Sequence, residues 1–146
     1  MSFINGLSKW GAGHSSNMMS SGMRTSSSGM VAEKFRMDVI SANIANAQSS
    51  APEGTEPYKR RIVNLVGGTT GPIITNLSYD ESPFRVENEP GNPNADASGN
   101  VHYSNVEPLY EAMDMMNASR SYELNVAAFN AAKRMTQKAL DIGKDA

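Results

Sequence analysis

Cysteine is absent from the chain. That one absence excludes disulfides, thiolate metal sites and cysteine nucleophiles together. Histidine is scarce, with His14 and His102 the only two. Neither sits in a Ser, Cys or Asp pattern that would build a nucleophile site. Basic charge is not in excess either. Thirteen Lys and Arg stand against fifteen Asp and Glu, for a formal net charge of -2. A nucleic-acid partner needs a clustered basic surplus, so none is expected. No apolar run approaches the roughly 18 residues that span a bilayer, so no membrane span is expected. The start lacks the unbroken apolar stretch of about 7–15 residues found in a signal peptide. Export, if it occurs, should therefore proceed without a cleaved signal. Gly67-Gly68 is not followed by Lys-Ser or Lys-Thr, which removes a phosphate-binding loop. No catalytic residue, metal or cofactor is expected.

Methionine, in contrast, is plentiful, with ten in the chain. Its unbranched, polarizable side chain suits adaptable interfaces as well as ordinary cores. The breakers are unevenly spread. Five of the seven prolines fall between Pro52 and Pro90, Pro93 follows, and glycines cluster nearby at Gly54, Gly67, Gly68, Gly71, Gly91 and Gly99. Helices do not run through such a density of Pro and Gly.

This partition predicts an α+β chain. Residues 1–22 form a flexible extension rich in Ser, Gly and Asn, too poor in apolar area to offset chain entropy. Within it, Phe3, Ile4, Leu7, Lys9 and Trp10 suit one short amphipathic turn. Residues 23–49 read as a helix. Met23, Met30, Met37 and Ile44 recur at heptad spacing, with Ile40 and Ala47 beside them. A second stripe holds Val31, Phe35, Val39 and Ala42. Residues 50–105 form a β-rich insertion, with extended segments at 58–66, 73–77, 84–89 and 101–103 and a hairpin turn at Gly67 to Gly71. Residues 106–146 carry the second long helix, with Pro108 in its first turn and Gly143 at its stop. Met115, Tyr122 and Phe129 repeat at seven, with Ala112, Ser119, Val126 and Leu140 as companions. Its second stripe is Leu124, Ala128, Ala131, Met135 and Ile142.

The two terminal helices should pack as an antiparallel, coiled-coil-like pair. Pairing buries one stripe on each. The second stripes then pack on the insertion or on other subunits. Asn43, Asn46 and Asn125 either hydrogen-bond across helices and set register or face water. Arg120 either pairs with Glu123 one turn on or reaches another subunit.

Particular residues resemble a known family. Arg36 to Ile40 followed by Ser41-Ala42-Asn43-Ile44-Ala45-Asn46-Ala47 is similar to the first-helix segment of flagellar rod, hook and axial proteins. Pro57-Tyr58-Lys59-Arg60-Arg61 resembles the strand that follows. Ser82-Pro83-Phe84-Arg85, then Glu89-Pro90-Gly91-Asn92-Pro93-Asn94-Ala95-Asp96, resembles a block special to proximal rod members. Val101 to Asn105 and Ala118 to Val126 complete it. The resemblance implies a structural subunit of the flagellar basal body that catalyses nothing. It implies export through the flagellar type III apparatus and assembly into a tube that crosses the periplasm and transmits motor torque. The implied partners are further copies, proximal and distal rod subunits, and the rod-to-membrane-ring adaptor. The subunit interface is expected at Met30, Phe35, Met37, Val39, Ile40, Asn43, Ile44, Asn46, Met115, Arg120, Tyr122, Val126, Phe129, Met135 and Leu140.

Three other readings compete on the residues alone. One is an exported helical adaptor whose helices pair only with each other. Another is a calcium-binding module, since Asn94, Asp96, Ser98 and Asn100 mimic the start of a calcium loop, although Asn105 replaces the bidentate Glu. The last is a wall-acting glycosidase built on Asp80, Glu81, Glu87 and Glu89.

Overall fold

A computed structural model describes the backbone of residues 8–144 and the side chains of residues 20–143. Two long helices enclose five short strands. Helix α1 runs Ser8–Ala45 and helix α2 runs Pro108–Lys144. Between them lie β1 (Ser50–Ala51), β2 (Arg61–Gly68), β3 (Gly71–Tyr79), β4 (Arg85–Asn88) and β5 (Asn100–Tyr103). At 1.5 Å per residue each helix is about 55 Å long.

The helices are antiparallel. Asn43 meets Glu111 near one end of the seam. Gly29 faces Asn125 further along it. The α2 side of the seam steps through Glu111, Met115, Ala118, Tyr122, Asn125, Phe129 and Ala132, all buried or half-buried. That alternation of four and three is heptad spacing. Met115, Tyr122 and Phe129 thus lie where periodicity put them. Their companions are Ala118 and Ala132, not Ala112, which is exposed.

On α1 the seam is turned by one residue from the anticipated Met stripe. Gly29, Arg36 and Asn43 face α2 in place of Met30, Met37 and Ile44. Met30 and Met37 are half-buried at its margin and Ile44 is exposed. The cause is a second neighbour. The β2–β3 hairpin lies along α1 and covers Ala32 and Val39, so α1 buries an arc wide enough for two partners. Val39 of the second α1 stripe is therefore internal, while Val31 remains 63% exposed.

Helix α1 begins at Ser8 rather than at Met23. Its Ser- and Gly-rich first half has poor intrinsic helix propensity. Tertiary packing, not propensity, supplies most helical stability, and α1 packs along α2. A Cβ at Gly29 would stand 2.6 Å from the Asn125 amide, so a larger residue there would have to displace that side chain. The side chains of Phe3, Ile4, Leu7, Lys9, Trp10 and His14 lie outside the described residues. The C-terminal end of α1 is closed by Asn46, whose Nδ2 donates to the Ala42 carbonyl at 2.8 Å. Pro108 occupies the first position of α2 as expected.

The insertion holds two antiparallel sheets. One has the order β1-β5-β4, and the other is the β2–β3 hairpin. The first rests on a small core of Ala47, Ala51, Val101 and Val106. The hairpin carries a bulge. Asn64 pairs with Asn76 and Leu65 with Ile74, which leaves Thr75 as the extra residue. Thr75 Oγ1 donates to the Asn64 carbonyl at 3.1 Å. The hairpin tip leans back onto α1, where Ser28 Oγ donates to the Pro72 carbonyl at 2.6 Å.

Gly71 sits at that tip with φ of +115°, where a Cβ would lie 2.9 Å from the Thr25 carbonyl. Backbone conformation and close approach both demand glycine there. Gly71→Val should destabilise the chain by about 1–3 kcal/mol. Thermal denaturation reads the loss, and hydrogen exchange should place it in β2 and β3.

Candidate assembly interface

Behind any assembly surface stands a polar junction that fixes where the helices and the hairpin sit. Asn43, on the last turn of α1, is 1% exposed, and so is Glu111, on the first turn of α2. Asn43 Nδ2 donates to Glu111 Oε2 at 2.9 Å and to the Arg61 carbonyl at 2.9 Å. Its Oδ1 accepts from the Arg61 N–H at 3.0 Å and from the Tyr58 hydroxyl at 2.9 Å. One amide therefore ties α1 to α2 and to the start of β2. Sequence reasoning left Asn43 open between a cross-helix bond and a wet face. The bond is made, but within the chain.

Arg60 completes the junction. Its Nε donates to Glu111 Oε1 at 2.5 Å. Its two terminal nitrogens reach Asp80 Oδ2 at 3.5 Å and Asp114 Oδ2 at 3.4 Å. The Arg60 N–H donates to Asn105 Oδ1 at 2.7 Å, and Asn105 Nδ2 donates to the carbonyls of Asp80 and Ser82. Burial pulls the Arg60 guanidinium pKa down, but its bonds to Glu111 and Asp80 outweigh that and raise it on balance. Burial likewise pushes the Tyr58 phenol up. The N–H and hydroxyl of Ser82, aided by Arg60, hold the Asp80 carboxyl below its ordinary value. Glu111 and Arg60 escaped sequence reasoning as site residues. A Glu at a seam position of an apolar heptad was the available signal.

The carboxylates that suggested a glycosidase are committed to structure. Asp80 holds Arg60 and the Ser82 N–H. Glu81 pairs with Lys59, and Glu87 with Arg85. Glu89 accepts from Asn92 at 2.8 Å and from the Tyr103 hydroxyl at 3.0 Å. The calcium-loop mimic is a tight turn. Asp96 Oδ1 accepts from the Ser98 and Asn100 N–H groups at 2.8 and 2.9 Å, and Gly99 turns the chain at φ of +81°.

The anticipated interface residues divide into three sets. Val39, Ile40 and Asn43 are buried inside the chain and offer no surface. They belong to its internal packing because α1 has two internal neighbours. Met30, Met37, Asn46, Met115, Tyr122, Val126 and Phe129 are half-buried along or beside the seam. Phe35, Ile44, Arg120, Met135 and Leu140 are exposed. Among the described residues no ion pair joins Arg120 to Glu123.

The exposed set extends well beyond expectation on α2. Leu109, Met113, Met116, Leu124, Met135 and Ile142 are each at least half exposed. At 100° per residue they fall on one stripe, opposite the face that meets α1. Ala127 and Ala131 fill it between Leu124 and Met135. A helix with an apolar seam on one side and an apolar stripe on the other has a second partner to satisfy.

Glu111→Ala should destabilise the chain by about 3 kcal/mol, because it strips Arg60 of its closest carboxylate and leaves the Asn43 amide short of an acceptor. Urea denaturation measures this. Glu111→Gln, which keeps the acceptor for Asn43, should lose less.

The insertion should also respond to acid. Asn92 and Tyr103 lower Glu89, the Asn100 and Ser98 backbone lowers Asp96, and Ser82 lowers Asp80. Carboxyls whose folded pKa is depressed stabilise the fold above their ordinary values, here 3.8 and 4.5. That contribution vanishes as pH falls through the lower folded values. Stability should therefore be flat above about pH 5 in this respect and decline below about pH 4. Hydrogen exchange of β4 and β5 against pH checks it.

Comparison with known proteins accords with this architecture. The family described as "Flagella basal body rod protein" matches residues 23–48, most of them in α1. The family described as "Flagellar basal body rod FlgEFG protein C-terminal" matches residues 97–142, which hold β5 and most of α2. The chain is 35% identical to the flagellar basal-body rod protein FlgC of Bacillus subtilis, over 84% of this chain and 96% of that protein. It is 37% identical to FlgC of Escherichia coli, over 80% and 92%. It is 34% identical to FlgC of Aquifex aeolicus, over 82% and 92%. Identity at this level across nearly the whole of each relative, on a frame of two paired helices around small sheets, means that the chain belongs to the FlgC family of flagellar basal-body rod proteins, structural rod subunits and not enzymes.

Proposed function

We propose that this rod subunit assembles with further copies and with other proximal and distal rod proteins through the outward faces of its terminal helices. The completed tube crosses the periplasm, meets the membrane ring through an adaptor and carries motor torque. The subunit reaches its place through the flagellar type III apparatus. The observation that carries the assembly reading is the α2 stripe from Leu109 to Ile142, left open by the chain's own fold. At about 25 cal/mol per Å² it represents several kcal/mol of burial available to neighbours. A rod is an open array, so each subunit must present different faces to different neighbours. The α2 stripe, together with Val31, Phe35 and Ile44 of α1, supplies more than one such face. Among the described residues no helix is long and apolar enough to cross a membrane, which suits an assembly held by subunit contacts.

A chain whose helices served only each other would not need this stripe. Leu124→Asp with Met135→Asp tests the distinction. The purified double variant should keep the helical content and unfolding midpoint of the parent, since both positions are exposed. Cells that carry it as their only copy should lose rod assembly and swimming. Normal swimming would remove the α2 face from the interface.

A further inference from the structure

The outward stripe of α2 carries opposite charge at its two ends. Near the root of the helix, Tyr110 and Met113 line a groove of about 380 Å³ together with Asp80, Glu107 and Asp114. Both apolar side chains are at least half exposed. The three carboxylates outnumber Arg60, the one cation among the described lining residues. Arg60 is already held by Asp80, Glu111 and Asp114. Glu107 is exposed and has no ion pair among the described residues. Towards the other end of α2 a second groove, of about 500 Å³, is lined by Ala131, Met135, Ala139 and Ile142 and by Arg134 and Lys138. No described acid lines it, and neither cation has an ion pair among the described residues.

The other uncommitted carboxylates have a different setting. Asp38 is on α1 and Glu53 is in the turn after β1. Glu123 and Asp141 are on α2, but at 3.6 residues per turn they fall about 80° around the helix from the line through Met113 and Ala131. Glu107 stands in a groove walled by exposed apolar side chains, and the second groove has the matching character with the charge reversed.

We infer that copies of this chain stack with α2 parallel and staggered, so that the Arg134–Lys138 groove of one meets the Glu107–Tyr110 groove of the next. This rests on assembly through α2, as proposed above, and adds its alignment. Two parallel stripes in register would set Arg120, Arg134 and Lys138 each against its own equivalent, cation on cation. A slide of about 25 residues, or about 38 Å, removes that clash. It brings Arg134 level with Leu109, close to Glu107, and Lys138 level with Met113, beside Asp114. Met135 then lies opposite Tyr110. The slide is also about seven whole turns, so the same stripe still faces the neighbour. The contact is heterologous, end to root, and each copy leaves a groove open for the next. Exposed charge pairs add little strength. Like charges set against each other are penalised, however, so charge selects one alignment among those that apolar contact permits.

Cross-linking reads the stagger directly, because the chain has no cysteine of its own. Tyr110→Cys and Met135→Cys lie about 38 Å apart on one helix and cannot join within a chain. Basal bodies from cells whose only copy carries both substitutions should, after mild oxidation, yield disulfide-linked subunits. Either substitution alone should yield none. A link from one substitution alone would mean packing in register and would overturn the stagger. So would assembled basal bodies of the double variant without links, which would mean that a different rod subunit fills these grooves. A charge exchange is the second measurement. Arg134→Glu and Glu107→Arg, each alone, should keep the parent's unfolding midpoint and lower the number of motile cells at least tenfold. Together they should recover most of that loss. Should the cysteine pair itself stop assembly, the exchange decides, and no recovery with both single variants folded would overturn the proposal. Each of these failures leaves the Leu124→Asp and Met135→Asp outcome untouched, so loss of the stagger is distinguishable from loss of the α2 face.

Discussion

The Asn43 amide and the Arg60 guanidinium meet at Glu111, and the placement of both helices and the hairpin depends on that meeting. The seam around it is built largely of small and flexible residues: Gly29, Met115, Ala118 and Ala132. Such a surface packs closely but tolerates sliding, because alanine and methionine contacts are similar in several registers. A buried amide and a buried carboxylate are not tolerant. Displaced by one turn, each would be left without a partner in an apolar setting, at a penalty of about 1–3 kcal/mol per group. The junction therefore does for register what the apolar seam cannot. It also couples the insertion to α2, which touches the strands little except through Arg60.

Coupling of this kind suits a structural subunit. The hairpin is anchored at both ends, at its base by Arg60, Arg61 and Asn105, and at its tip by Ser28 and Gly71 on α1. An unsupported two-stranded hairpin is marginal in water. Here it is braced along the helix. The three-stranded sheet is tied differently, through Ser49, Ser50 and Ser104 where the chain leaves α1 and approaches α2. The long helices and the insertion thus form one connected body, while the outward α2 face stays uncommitted.

Much of the architecture was legible in the residues. The breaker-rich middle segment marked the insertion because Pro and Gly act locally, whatever surrounds them. The heptads of Met115, Tyr122 and Phe129 marked the α2 seam because α2 has one internal partner, so its periodicity maps onto one face. The α1 seam was misplaced by one residue for the opposite reason. The Met30, Met37 and Ile44 repeat is real, but Ala32 and Val39 are claimed by the hairpin, and the helix rotates to satisfy both neighbours. The early start of α1 was also hidden, since propensity reads Ser and Gly as breakers and takes no account of the packing of α1 along α2.

The chain order of helix, β-rich insertion and helix, the surplus of apolar surface at its ends and its kinship with rod subunits were determined by the sequence alone. All three rest on local preference, periodicity and motif, which need no coordinates. Which apolar residues face inward, and that Asn43, Arg60 and Glu111 form one buried cluster, was decided only in three dimensions. Their separation in the chain spans α1, the start of β2 and α2, and no local rule links positions brought together by the folding of three elements upon each other.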